Sequence, residues 1–186
     1  MNLMGSHDTA RLRTGLGCGN DGGGMSREQQ AHFTLSQQQN THARTLQRLV
    51  ADLQFTLPGM PCVYYGDEEG MQGFRDPFCR EPYAKAPEEE SLHELYTSLA
   101  HLRGVSELLR RGDAAFAAYG PDTAVILRYE TERGKAALIA LNRGNTAAHL
   151  VPHHADFRGL RADDAARLPQ LPPLEVPALD FTIVTL

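Results

Sequence analysis

The sequence predicts an α/β portion followed by an all-β module. Three observations carry this. Two stretches, 43–57 and 88–109, repeat apolar residues at spacings of three and four, as one face of a helix does. Between them Met60–Tyr65 (MPCVYY) is a short apolar run without alternation, the pattern of a strand covered on both faces in a parallel sheet. After Gly112 the apolar period shortens from about 3.6 to about 2, which is the change from helix to strand.

The first feature along the chain is Asn2–Gly5, a short apolar run ending in glycine, with His7 and Asp8 side by side behind it. Taken alone, Asp8 reads as a cap for a turn starting at Thr9, a common use of aspartate. Residues 14–40 are rich in glycine and glutamine (GLGCGNDGGG, then LSQQQN), offer no continuous apolar face, and read as a loop or insertion. Its Gly15-Leu16-Gly17 lacks both the third glycine and the preceding strand of a dinucleotide fingerprint.

Leu46, Leu49, Val50, Leu53 and Leu57 then line one helical stripe, which Pro58-Gly59 ends. Beyond the apolar run, residues 66–86 are charged and rich in Gly and Pro, as in a loop that carries functional groups. Asp67, Glu68 and Glu69 within it read as a solvated patch. Tyr64 and Tyr65 read as core residues. The second stripe runs through Leu92, Leu95, Tyr96, Leu99, Leu102, Val105 and Leu109, with Ser91 and Glu94 as a capping box and Glu88–Glu90 in or just before its first turn. From Gly112, the runs 116–119, 124–129, 136–141 and 180–186 are β-prone and separated by turn signals, which predicts an antiparallel sandwich.

Composition removes several classes. A formal charge of -5 with lysine and arginine scattered among acids argues against nucleic acid as a partner. No stretch reaches the length of a membrane span, so no membrane partner is expected. Cys18, Cys62 and Cys79 are odd in number and lack metal spacing, and the histidines have no ligand partners, so no metal site is expected; free thiols lean toward a cytoplasmic location.

Three passages together resemble the α-amylase superfamily, glycoside hydrolase family 13, most closely its neopullulanase and cyclomaltodextrinase branch. NLMGSHDTARL is similar to the family's motif at the tip of the seventh barrel strand. LPGMPCVYYGDEEGM is similar to the eighth strand and its loop, and DPFCREPY to the sugar-contacting loop beyond. HLRGVSELLRRGD further resembles the last barrel helix leading into a small β domain. The implied fold is the last two βα units of an incomplete (β/α)8 TIM barrel, residues 1–111 with a Gly/Gln-rich insertion at 14–40, plus a C-terminal antiparallel β-sandwich domain, residues 112–186.

The resemblance also assigns chemistry. In such a barrel the reacting groups project from the carboxyl ends of the strands. Asp8 then matches the family's third catalytic carboxylate, which grips sugar hydroxyls more tightly in the flattened, cation-like state than in the resting chair. His7 would hydrogen-bond the same sugar, and Asp76 with Arg80 would share the hydroxyls of a glucose residue between an acceptor and planar donors. The bland reading of the last two is an exposed loop ion pair. Two departures stand out: Ala84-Lys85 replaces the Pro-Trp that the family often places after Pro82-Tyr83, and the chain has no Trp to stack on glucose.

A retaining glycosidase also needs a nucleophile and an acid/base carboxylate about 5 Å apart. The resemblance places these, and any calcium site, on barrel segments preceding this chain; no cofactor is expected within it. A whole barrel takes about 250 residues, so the sequence reads as a C-terminal fragment of a retaining α-glucan hydrolase or transglycosylase acting on maltodextrin-like substrates, inactive alone. Its expected partners are an α-glucan or maltooligosaccharide and the missing N-terminal barrel segment, and an open strand edge invites homo-oligomers. The alternatives are a non-catalytic carbohydrate-binding or assembly module, and a self-contained hydrolase in which Asp8 faces Glu68 or Glu69 across a pocket.

Overall fold

β1 (Asn2–Leu3) pairs in parallel with β2 (Pro61–Cys62), in register Asn2 to Pro61 and Leu3 to Cys62, in a computed structural model that describes residues 1–87 and 90–186. Gln54 locks the pair, donating from Nε2 to the carbonyls of Asn2 (2.9 Å) and Cys62 (2.8 Å) while Asn2 Nδ2 donates back to the Gln54 carbonyl (3.2 Å). Among the described residues no third strand joins this sheet. Of the apolar run Met60–Tyr65 only Pro61 and Cys62 are strand, because a two-residue partner offers no longer ladder.

The chain divides into two compact units, residues 1–54 with 60–100 and residues 55–59 with 101–186. In the first, segment 14–40 departs from the loop reading. It holds α1 (Leu12–Cys18), α2 (Arg27–Ala31) and the start of α3 (Gln37–Thr56). Capping explains this: Ser26 and Gln29 exchange hydrogen bonds at the start of α2, and Ser36 does the same with Gln39 ahead of α3. The glutamines that looked like loop composition are thus helix-starting residues and good helix formers.

The second predicted helix is interrupted. α4 (His93–Val105) and α5 (Glu107–Arg111) are separated at Ser106, whose extended backbone and side chain, accepting from Leu109 N at 3.2 Å, cap α5. Ser91 accepts from His93 N at 3.1 Å just ahead of α4. The expectation for Glu88 and Glu89 lies outside the described residues.

In the second unit β3 (Asp113–Ala118), β4 (Thr123–Glu130), β5 (Lys135–Asn142) and β8 (Asp180–Thr185) form one antiparallel sheet in the order β3-β4-β5-β8. β6 (Ala148–Leu150) and β7 (Leu174–Val176) form an antiparallel ribbon. Val125, Leu127 and Leu138 of the sheet share one apolar core with Leu150, Leu174 and Val176 of the ribbon and with Phe157 from the connection between them. The alternation that announced the strands is the alternation that fills this core.

The opposite face of β4 carries Arg128, fully buried, which donates to the carbonyls of Thr56 (2.6 Å), Leu108 (3.1 Å), Leu109 (3.0 Å), Gly112 (2.6 Å) and Asp113 (3.2 Å). Those of Thr56, Leu108 and Leu109 end α3 and α5, where helices leave carbonyls without partners, and those of Gly112 and Asp113 follow α5 directly. Arg103 completes the α3 terminus through the carbonyls of Phe55 (2.7 Å), Leu57 (3.1 Å) and Gly59. Burial lowers the Arg128 pKa to about 10, so the cation persists at neutral pH.

Candidate active site

Two residues beyond β1 the chain makes a tight turn over Ser6–Thr9. Its polar groups are satisfied from within: Ser6 N donates to Thr9 Oγ1 (3.1 Å), Asp8 N to Ser6 Oγ (3.2 Å) and Thr9 N to the Ser6 carbonyl (3.4 Å). The hydroxyls of Ser6 and Thr9 do the work that the capping reading gave to Asp8. The Asp8 carboxylate is left at the surface, with 71% of its side chain exposed, 3.2 Å from His7 Nε2 and 3.6 Å from Arg80 Nη2.

Arg80 lies at the end of a single helical turn, Phe78–Arg80, in the loop after β2. Its Nε is 2.7 Å from Asp76 Oδ1 and donates to the His7 carbonyl at 3.3 Å. Cys79 Sγ, buried beneath, donates to the same carbonyl (3.2 Å), and Tyr64 Oη donates to the Cys79 carbonyl (3.3 Å). The structure therefore brings His7, Asp8, Asp76 and Arg80 into one exposed cluster built from two loops. Exposed pairs of this kind contribute only ~0–1 kcal/mol each to stability, so the fold gains little from holding two carboxylates around one guanidinium. What the arrangement offers is acceptors and planar donors side by side, the set that polyhydroxylated ligands engage.

The loop after β2 also holds a pair of buried acids that the sequence reading missed. Asp67 and Glu69 were expected in a solvated patch, yet both are 3% exposed. The reason is local: Asp67 Oδ1 sits 4.0 Å from Arg11 Nη1, and the Arg11 guanidinium lies 4.5 Å from the ring centroids of both Tyr64 and Tyr65. Arg11 Nη1 also donates to the Tyr65 carbonyl. The two tyrosines serve as cation-π partners, and Tyr65, 39% exposed, is not a core residue. Glu69 accepts from Tyr83 Oη (3.0 Å) and Ala86 N (3.2 Å) and faces His93 Nδ1 (3.4 Å), tying residues 83–86 to the loop after β2. Arg11, a cation three residues past Asp8, was the available signal for a buried partner, but nothing in the string GDEEG says which acid it selects.

Gly5 is required by this pair. A Cβ there would stand 2.8 Å from Asp67 Oδ2, so Gly5→Ala is expected to push the Ser6–Asp8 turn off the buried carboxylate and to destabilise the chain by about 1–3 kcal/mol, measurable by urea unfolding. Asp67 also carries a pH signature. Burial, the dominant cause, pushes its pKa up to about 7, opposed by Arg11 and aided by Glu68. The folded value exceeds the ~3.9 of an unfolded aspartate, so the folded chain holds the extra proton between about pH 4 and pH 7. Stability is expected to fall as pH rises through that window, and Asp67→Asn to remove that slope in unfolding midpoints taken from pH 4 to pH 8.

Among the described residues no group of three or more His, Cys, Asp or Glu side chains is placed to hold a metal ion, and no helix is long and apolar enough to cross a membrane. No family model matches the chain. Curated relatives do match. A cyclomaltodextrinase of Geobacillus thermopakistaniensis (strain MAS1) is 36% identical over 160 residues, 85% of this chain and 23% of the relative. Neopullulanase 2 of Thermoactinomyces vulgaris is 37% identical over 114 residues, 60% of this chain and 15% of the relative. The cyclic α-maltosyl-(1→6)-maltose hydrolase of Arthrobacter globiformis, solved with that cyclic sugar, is similar in fold with a TM-score of 0.64 at 24% identity, over 98% of this chain and 34% of the hydrolase. By sequence, the chain is a relative of the α-amylase superfamily, glycoside hydrolase family 13, and its curated relatives include cyclomaltodextrinases and a neopullulanase. It spans about a quarter or less of the length of those relatives.

Proposed function

We propose that the chain forms the last two βα units of a (β/α)8 barrel and its C-terminal β-sandwich domain, within a retaining hydrolase or transglycosylase of α-glucosidic bonds in maltodextrin-like sugars. One observation carries the reading: Asp8, behind a strand that pairs in parallel with the next, meets Arg80 and Asp76 from the loop after that second strand. Asp8 is the carboxylate that holds ring hydroxyls of the sugar being cleaved. As the ring flattens and positive charge develops, its charged acceptor binds more strongly, and that difference lowers the barrier. His7 hydrogen-bonds the same ring, while Asp76 and Arg80 hold a neighbouring hydroxyl pair.

Bond cleavage needs two more carboxylates about 5 Å apart. Asp67 and Glu69 are unsuited to either role, since both are shut from solvent and Glu69 is committed to Tyr83 and Ala86. On this reading the chain contributes substrate-gripping groups, and neither of its buried acids Asp67 and Glu69 serves as nucleophile or acid/base. The test is an assay of the isolated chain at high concentration on maltotriose and on a cyclodextrin. No turnover is expected. Turnover that vanishes in Asp8→Asn would show a self-contained enzyme and overturn the division of labour.

A further inference from the structure

The unit formed by residues 1–54 and 60–100 carries a second concavity, of about 750 Å³, that shares no residue with the Asp8 cluster. One wall is the α3 face bearing Arg44 and Arg48, four residues apart and therefore neighbours on the helix. Tyr83, Lys85 and Ala86 form the second, the residues that begin α4, Leu92 to Leu95, the third, and Glu69 also lines it.

Among the described residues its charges do not balance. Glu69 is already engaged by Tyr83, Ala86 and His93; burial pushes its pKa up, but the hydrogen bonds from Tyr83, Ser91 and Ala86 and the His93 charge hold it below the ordinary glutamate value. Glu94 is the other acid in the lining. Against them stand Arg44, Arg48 and Lys85, none of which forms an ion pair among the described residues. Arg44 donates from Nη2 to the Ser91 carbonyl at 3.3 Å, and its buried Nε has no partner among the described residues. Arg13, buried behind, has its pKa lowered to about 10, by burial first and then by the Arg44 charge, although Glu90 acts in the opposite sense.

We propose that this cleft binds a phosphate group, as inorganic phosphate or as the phosphomonoester of a phosphorylated sugar. A phosphate monoester carries about −1.5 to −2 charges at neutral pH and three acceptor oxygens, which two arginine forks and a lysine satisfy. The cavity is larger than one phosphate needs. The half-exposed Tyr83 ring and the partly exposed Leu95 side chain supply the apolar surface that a pyranose ring would lie on. The site is independent of the proposed glucan chemistry.

The test is isothermal titration of the whole 186-residue chain at low salt with inorganic phosphate, with glucose 1-phosphate and with glucose as the uncharged control. Saturable binding of phosphate is expected, with Kd raised about tenfold or more by Arg48→Gln, an exposed substitution that the fold tolerates, and by Arg44→Gln. Arg143→Gln, whose partner Asp122 lies in the other unit, is the control and should leave Kd unchanged. Tighter binding of glucose 1-phosphate than of phosphate identifies a sugar phosphate; equal binding identifies the free ion. Absence of saturable binding, an unchanged Kd in Arg48→Gln, or an equal loss in Arg143→Gln would overturn the proposal.

Discussion

In a chimera that joins this chain to the preceding portion of the Geobacillus cyclomaltodextrinase, Asp8→Asn is expected to lower kcat/KM on maltodextrins about 1,000-fold, with most of the loss in kcat. The substitution keeps the size of the side chain and removes its charge. A neutral amide still accepts a hydrogen bond from a resting sugar, so ground-state binding changes little. It loses the attraction for the positive charge that grows on the flattened ring, and a loss of about 4 kcal/mol there gives the stated factor. Steady-state kinetics of the two chimeras check it. A loss confined to KM would mean that Asp8 binds sugar without favouring the transition state.

Arg128→Met is expected to destabilise the C-terminal unit by about 3–5 kcal/mol, a large share of the ~5–15 kcal/mol that holds a domain folded. Methionine keeps the aliphatic volume, so the loss comes from hydrogen bonds rather than from a cavity. The carbonyls of Thr56, Leu108, Leu109, Gly112 and Asp113 would all lose a donor inside the unit, and five such groups cannot all be rehydrated at once. The urea midpoint followed by far-UV circular dichroism is expected to drop by about 2 M at a slope of ~2 kcal/mol/M. A drop below ~0.5 M would mean that water replaces the guanidinium, and that the helix ends do not depend on it.

The sequence exposes the parts of this molecule whose physics is periodic. The stripe through Leu46, Leu49 and Leu53, and the runs that became β3, β4, β5 and β8, were legible because each turn or pleat repeats one requirement. Residues 14–40 were misread because composition outweighed position: Ser26 with Gln29 and Ser36 with Gln39 are capping pairs, and the glutamine run between them and Ala43 extends a helix. The break at Ser106 was hidden for the opposite reason, since Val105 and Leu109 keep the helical spacing across it.

At the site, His7, Asp8, Asp76 and Arg80 could be named from motif resemblance, and their meeting was not visible in the spacing, because some 70 residues separate the two loops. The burial of Arg11, Asp67 and Arg128, and the partners each one takes, could not be read from the sequence. A buried charge is chosen by the carbonyls, rings and counter-charges that close around it, and these come from distant positions such as Tyr64, Gly5 and Thr56.

The central claim is that the cluster of His7, Asp8, Asp76 and Arg80 grips glucose rings. Its most direct test is an amide-resonance titration of the isolated chain with maltotriose. The claim requires saturable shifts centred on residues 6–9 and 76–81, weakened at least tenfold by Asp8→Asn with the rest of the spectrum intact. Shifts confined to the C-terminal unit, or a titration indifferent to Asp8→Asn, would contradict it.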